Sequence, residues 1–312
     1  MKLGLLSAIW ANKTFEEVID YAAASGIQSV ELASWPKGNG VRRYAGTSHV
    51  DADSLNQQEA DRLRQYADER EIEIASLGYY PNPLDANEEI AHAAIDHLYK
   101  VIDAAKMMRV PLVTTFIGRD QTKNINDNLV LVGKVWPPIL DYARDLGIKI
   151  GIENCPMLFT NDEWPGGQNV MTSPDNWRKV FKILDYDNFG LNFDPSHFVW
   201  QMLDYIKPIY EFSEKLFLVH FKDIKLLPEK LADVGTMATP LQYMVPKIPG
   251  YGDIDWGKFV SALTDVGYQG NTIIEIEDKS FEANDQAVDQ AIKHSIHYME
   301  NFAPVYNSSA TP

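Results

Sequence analysis

Three segments of the chain repeat one short plan. YAAASGIQSVEL, YARDLGIKIGIE and LTDVGYQGNTIIEIE each run from an amphipathic stretch, through Gly26, Gly147 or Gly267, into an apolar run rich in β-branched residues. Glycine ends a helix in left-handed backbone at the least cost, and a strand beginning within a few positions makes each segment a helix-to-strand joint. Reading outward from these joints gives eight strand candidates: LGLLSAIW, SVELASW, EIEIASLGYY, VPLVTTFIG, KIGIENCP, FGLNFDPSH, LFLVHFKDI and NTIIEIED. Helical patterns separate them. Phe15, Val18, Ile19 and Ala22 recur at helical spacing, as do Ala94, Leu98, Val101 and Ala105. Strict alternation implies parallel strands joined by crossovers, and eight such units close most naturally as a (β/α)8 TIM barrel of the α/β class.

A length of 312 residues suits one such barrel. We expect a barrel domain over residues 1–304 and a flexible tail over 305–312, which lacks an apolar anchor. Two excursions, residues 157–172 and 225–255, follow strands and so belong on the face where barrel enzymes keep their chemistry. The formal net charge of -16 opposes nucleic acid and acidic membrane surfaces as partners. No run reaches the roughly 18 apolar residues of a membrane span. MKLGLLSAIWANK reads as the first strand, not as a signal peptide. Cys155 is the only cysteine, so no intrachain disulfide can form, and a reducing, cytoplasmic location is expected.

The chemistry is carried by polar residues that end apolar strands. Glu153 closes KIGIE, Asp194 closes GLNFD, His220 closes LFLVH and Glu275 closes NTIIE, on four consecutive strand candidates. All four should project inward at one level. Three carboxylates and an imidazole crowded together raise one another's cost of ionisation unless a cation joins them. A divalent metal resolves the conflict. A set of three oxygens and one nitrogen is fairly hard, which makes Mn2+ the first choice, with Mg2+, Co2+ or Zn2+ as alternatives.

The segments IENCP, FDPSHFVWQ, VHFKD, IPGYGDIDW and GYQGNTIIEIED resemble motifs of the xylose isomerase-like barrel superfamily, which includes sugar phosphate isomerase/epimerase-type proteins. The resemblance is strongest from residue 149 to 278. It implies that Glu153, Asp194, His220 and Glu275 bind a catalytic divalent metal, and that His197 binds a substrate oxygen. Asp223 is expected to orient neighbouring ligands in a supporting role. Glu31 and Lys222 are candidates for substrate hydroxyls, and Trp10 and Tyr79 are candidates for stacking on a sugar ring, alongside Trp35, Tyr80, Phe116, Trp164 and Trp200. The remaining histidines, 49, 92, 97, 294 and 297, read as surface or packing residues, and Cys155 reads as a small packed residue near the site.

The reading that follows is a metal-dependent sugar isomerase or epimerase acting on a keto-sugar or related polyol. Glu153 and Glu275 exchange a proton with the substrate through a metal-stabilised enediolate. A dehydratase or lyase on an oxidised sugar, inosose or 3-oxo-glycoside is the alternative. Ketose epimerases of this superfamily place a Glu six residues after the first metal Glu and an Arg six after the metal His. Phe159 and Leu226 stand there instead, which keeps elimination open. A related DNA-repair branch needs further histidines on the second and third strands, and SVELASW and EIEIASLGYY hold none. A non-catalytic binding or scaffold subunit is the third reading; self-association or a partner subunit is compatible with any of them.

Overall fold

The computed structural model describes residues 1–38, 44–158 and 167–302. In chain order it holds β1 (Lys2–Leu6), α1 (Phe15–Ala24), β2 (Ser29–Ala33), α2 (Gln57–Asp68), β3 (Glu73–Gly78), α3 (Glu88–Met108), β4 (Leu112–Thr115), α4 (Ile125–Asp145) and β5 (Lys149–Glu153). There follow α5 (Pro174–Ile183), β6 (Phe189–Phe193), α6 (Ser196–Val199), α7 (Lys207–Glu211) and β7 (Leu216–Phe221). The chain ends through β8 (Asp223–Leu226), α8 (Pro228–Val234), β9 (Met244–Lys247), α9 (Trp256–Asp265), β10 (Asn271–Ile274) and α10 (Asp285–Met299). Eight parallel strands close in the order β1-β10-β7-β6-β5-β4-β3-β2. Each contains part of one of the eight expected strands, so the barrel reading holds. Among the described residues no helix is long and apolar enough to cross a membrane.

Local chemistry sets the element ends. The side chains of Thr14, Asn56, Asn87, Asn124, Ser173, Asp255 and Asn284 each accept a first-turn backbone N–H, satisfying donors that a helix start leaves free. At the joints Gly26, Gly147 and Gly267 have φ of 76°, 75° and 70°, and nothing lies within 4 Å of a Cβ built on any of them. The dihedral, not crowding, requires glycine there.

Side chains alternate across the barrel wall. Outward residues such as Val30, Ile150, Ile152 and Leu191 join the large core beneath the helices. Inward residues Leu6, Ala33, Leu112, Leu218 and Ile273 fill a smaller core inside the barrel. The 225–255 excursion is ordered: β8 and β9 pair antiparallel as a two-stranded ribbon. Positions 159–166, with Phe159 and Trp164, and the 305–312 tail lie outside the described residues.

His49 is a buried structural histidine. Its Nε2–H donates to the Trp10 carbonyl at 3.0 Å, and the Ser7 hydroxyl donates to Nδ1 at 2.8 Å while accepting Ala33 N–H at 2.9 Å. Burial, opposed only by the Trp10 carbonyl, lowers its pKa from 6.5 to about 4. The unfolded chain therefore takes the proton first as pH falls. The stability this residue contributes is complete above pH 6.5 and drains away toward pH 4, on the order of 3 kcal/mol in all. Denaturant midpoints at the two ends of that window should differ less in His49→Gln than in the wild type; equal differences would show that another group governs the loss.

Candidate metal centre and pocket

The inward alternation decides which side chains meet at the barrel mouth. Along β7 it runs Leu218, His220, Lys222; along β10 and its extension it runs Ile273, Glu275, Glu277; from β5 it runs Glu153, Cys155. Glu153, His220 and Glu275 are buried, and one ligand atom of each lies within 4.8 Å of the other two. Asp194 stands beside this triangle. Its Oδ1 accepts Ser196 N–H at 2.8 Å, while Oδ2 lies 3.1 Å from His197 Nε2 and 3.9 Å from Lys222 Nζ. His197 Nε2 is also 3.4 Å from Glu153 Oε1. The Asn154 amide holds the Asp194 backbone, accepting its N–H and donating to its carbonyl, both at 2.8 Å. All four residues singled out by strand position therefore converge, three directly and Asp194 through His197.

His220 is oriented from behind. Its Nε2 lies 3.0 Å from Glu31 Oε2, and Glu31 also accepts hydrogen bonds from Thr114 Oγ1 at 2.9 Å and from the Tyr80 hydroxyl. A carboxylate only accepts, so Nε2 carries a proton; Nδ1 faces a second carboxylate, and a cation bound there would take the place of its proton. The Asn192 amide sits 3.0 Å from Nε2 with its Oδ1 otherwise unpartnered, and a half-turn of that amide gives Nε2–H a second acceptor. Nδ1 faces Glu275 Oε2 at 3.3 Å.

Asp194 Oδ2, His220 Nδ1 and Glu275 Oε2 are buried without a hydrogen-bond partner. Buried polar atoms are seldom left so. Five carboxylates, from Glu31, Glu153, Asp194, Glu275 and Glu277, gather round two imidazoles and one ammonium. The orphaned atoms and the excess of negative charge suit a divalent cation.

The surrounding fields differ from one carboxyl to the next. Burial pushes Glu153 above the usual carboxylate range. Burial would do the same to Glu275, but the Lys222 ammonium and His220 hold it well below. For Lys222 burial works against the charge, and Glu275, Glu277 and Asp194 outweigh it, raising the ammonium well above its ordinary value.

Several residues expected to contact substrate lie outside the pocket lining or are engaged by other side chains. Glu31 is fully buried, engaged by His220, Tyr80 and Thr114, and does not line the pocket. Trp10 packs edge-on against Tyr21, and Tyr79 packs between Trp35 and His97; neither lines the pocket. The pocket's aromatic walls are Trp35, Tyr80 and Phe116, with Tyr44 at one side. Lys222 lines the pocket as a candidate should, but it is buried, ion-paired to Glu277 and 3.2 Å from Glu275 Oε1. Asp223 does not touch the converging residues. It accepts N–H from Ile224 at 2.8 Å, Gly250 at 3.0 Å and Ile254 at 3.3 Å, and from the Trp256 indole at 2.9 Å. Lys222 points in, so its neighbour must point out.

Asn192 and Glu277 escaped the sequence reading. Each lies two residues from an expected ligand, Asp194 or Glu275, and the strand period alone could have found them.

The Asp223 clasp is tight. A Cβ on Gly252 would collide with Asp223 Oδ1 and the Ile224 carbonyl oxygen, atoms with no room to retreat. Gly252→Ala should cost about 1–3 kcal/mol of stability by overpacking, read as a lower denaturant midpoint. An unchanged midpoint would mean that this loop is not held as closely as described.

Proteins of this build are known. An uncharacterized protein YfiH of Bacillus subtilis (strain 168) is 23% identical over 95% of this chain and 99% of its own. An inosose dehydratase of Clostridium perfringens (strain ATCC 13124) is 23% identical over 91% of this chain and 92% of its own. Among solved structures, the IOLI protein with a binding zinc atom superposes with a TM-score of 0.73 at 17% identity, covering 98% of this chain and all of that one. The xylose isomerase-like TIM barrel family model matches residues 19–301, which takes in the converging residues and the barrel from α1 to α10. By that match, and by the closed eight-stranded barrel, the chain belongs to the xylose isomerase-like TIM barrel family.

Proposed function

We propose that this enzyme, of the sugar isomerase, epimerase or dehydratase class, removes the proton beside the carbonyl of a keto-sugar, an inosose or a 3-oxo-glycoside, with Glu153 and Glu275 as the proton carriers. The observation that carries this reading is that both carboxyls line one pocket from strands β5 and β10, which β6 and β7 separate. They can address a bound carbon from two sides. Removal by one and return by the other inverts that carbon; return to its neighbour isomerises the sugar.

The proposed holders of a divalent ion are Glu153, Asp194, His220 and Glu275, with Mn2+ as first choice and Zn2+ the main alternative. When bound, such an ion supplies Lewis-acid stabilisation of the negative charge that develops on a substrate oxygen. The chain's own residues do the rest. His220 is held through Nε2 by Glu31, His197, set between Asp194 Oδ2 and Glu153 Oε1, is the proposed binder of a substrate oxygen, and Trp35, Tyr80 and Phe116 offer flat faces to the C–H side of a ring.

Elimination is the second reading. It is favoured by the likeness to an inosose dehydratase over nearly the whole chain, and by Lys222, whose ammonium lines the pocket where it can protonate a departing hydroxyl.

One experiment separates these readings. Keto-sugars, inososes and 3-oxo-glycosides are incubated in deuterated water and followed by NMR, before chelation, after it, and after adding back Mn2+ or Zn2+. Exchange at one carbon with inversion marks an epimerase, and loss of water marks a dehydratase. Chelation should abolish either, and one of the ions should restore it. Turnover undiminished by complete metal removal would sink the reading.

A further inference from the structure

Glu153 belongs to two triangles of ligand atoms. Besides the set it makes with His220 and Glu275, one ligand atom each of Glu153, Cys155 and His197 lies within 4.8 Å of the others. Cys155 lies two residues beyond Glu153, faces the same way, and lines the same pocket. Its Sγ accepts the Met157 N–H at 3.4 Å, a donation that a metal-bound thiolate can keep. His197 is only 7% exposed, and its Nε2 has no hydrogen-bond partner although two carboxylates flank it. A buried, unpartnered imidazole nitrogen thus stands beside a thiol and a carboxylate.

The two triangles differ in character. Oxygens dominate round His220, whereas one sulfur, one nitrogen and one oxygen make up the second set. Thiolate favours zinc and its softer neighbours over manganese or magnesium, and three protein ligands of this kind leave a fourth position open. We propose that Glu153, Cys155 and His197 form a second cation site, selective for zinc-like ions, on the pocket side of the first. The thiol releases its proton to solvent as the ion binds, and no electron is transferred. An ion there engages His197 and narrows the pocket, so zinc beyond the first equivalent acts as an inhibitor.

The proposal rests on the reading of the first centre only through the shared Glu153. The test begins with the full chain loaded with Mn2+ and freed of excess, into which Co2+ is titrated. Because the chain has one cysteine, a thiolate-to-cobalt absorption band in the near ultraviolet can arise only from Cys155. The wild type should develop that band, saturating at one further equivalent, and Zn2+ should bleach it. Cys155→Ser should lose the band and the added equivalent while retaining Mn2+. Stoichiometric Mn2+ with no cobalt band in the wild type overturns the second site and leaves the first reading standing. A band in a chain that holds no Mn2+ does the reverse. A band that persists in Cys155→Ser also overturns the proposal, and because the main readout is taken on the wild type, poor folding of the variant cannot mask a negative result.

Discussion

Glu153→Gln and Glu275→Gln should each lower turnover by about three orders of magnitude, within the range that general acid–base groups contribute. Each amide keeps the size of the side chain and loses the ability to carry a proton. The loss should appear equally in exchange of the substrate C–H with deuterated solvent, since the step removed is the proton transfer itself. Metal content must be measured alongside, because the same carboxylates are the proposed ligands. A variant at full metal occupancy that exchanges at the wild-type rate would remove that glutamate from the mechanism. Folding should survive both changes. The Glu153 carbonyl, not its carboxylate, receives the Asn169 amide at 2.8 Å, and Glu275 is anchored by its backbone N–H on Phe221.

The second large effect is expected at a residue with no surface. Glu31→Ala removes the acceptor of His220, Tyr80 and Thr114 together and leaves two buried polar groups and the half-buried Tyr80 hydroxyl to find new partners. Breaking a buried charged network of this kind costs roughly 3–5 kcal/mol, and loss of the carboxylate behind a ligand histidine weakens metal binding about 10–100-fold. Denaturant titration reads the first and competition with a chelator the second. Glu31→Gln, which keeps the shape, should recover much of the stability without restoring the full affinity. Wild-type affinity in a folded Glu31→Ala protein would show that His220 needs no such support.

The barrel was legible because its joints and periods are written locally. A glycine with positive φ after three of the amphipathic stretches, and apolar runs too short for helices, leave few alternatives to alternating β and α units. Glu153, Asp194, His220 and Glu275 stood out for a related reason, as hydrophilic residues closing strands that are otherwise apolar. The partners of Glu31 were not legible, because its strand is irregular. The β2–β3 register shifts between Val30 and Glu31, and the β6–β7 register shifts between Leu191 and Asn192, so two polar residues behind His220 sit at steps in the sheet. Their depth depends on pairing between distant segments, and no local pattern records it. Tyr79 and Tyr80 make the same point. Adjacent in sequence and alike in chemistry, one packs on His97 and the other bonds Glu31.

Lys222 alone separates the end of β7 from the start of β8, where the chain leaves the barrel wall for the two-stranded ribbon. The ammonium among the pocket acids and the ribbon are therefore joined by one peptide unit, and Asp223 fastens both to the 250–256 turn. This makes residues 222–256 a single cassette for anyone exchanging loops between relatives. A graft cut inside it would import a ribbon without its clasp, or a clasp without the charge that balances Glu275 and Glu277. Divergence of the pocket in this branch should accordingly come in whole blocks, with the lysine, the aspartate and the ribbon inherited or replaced together.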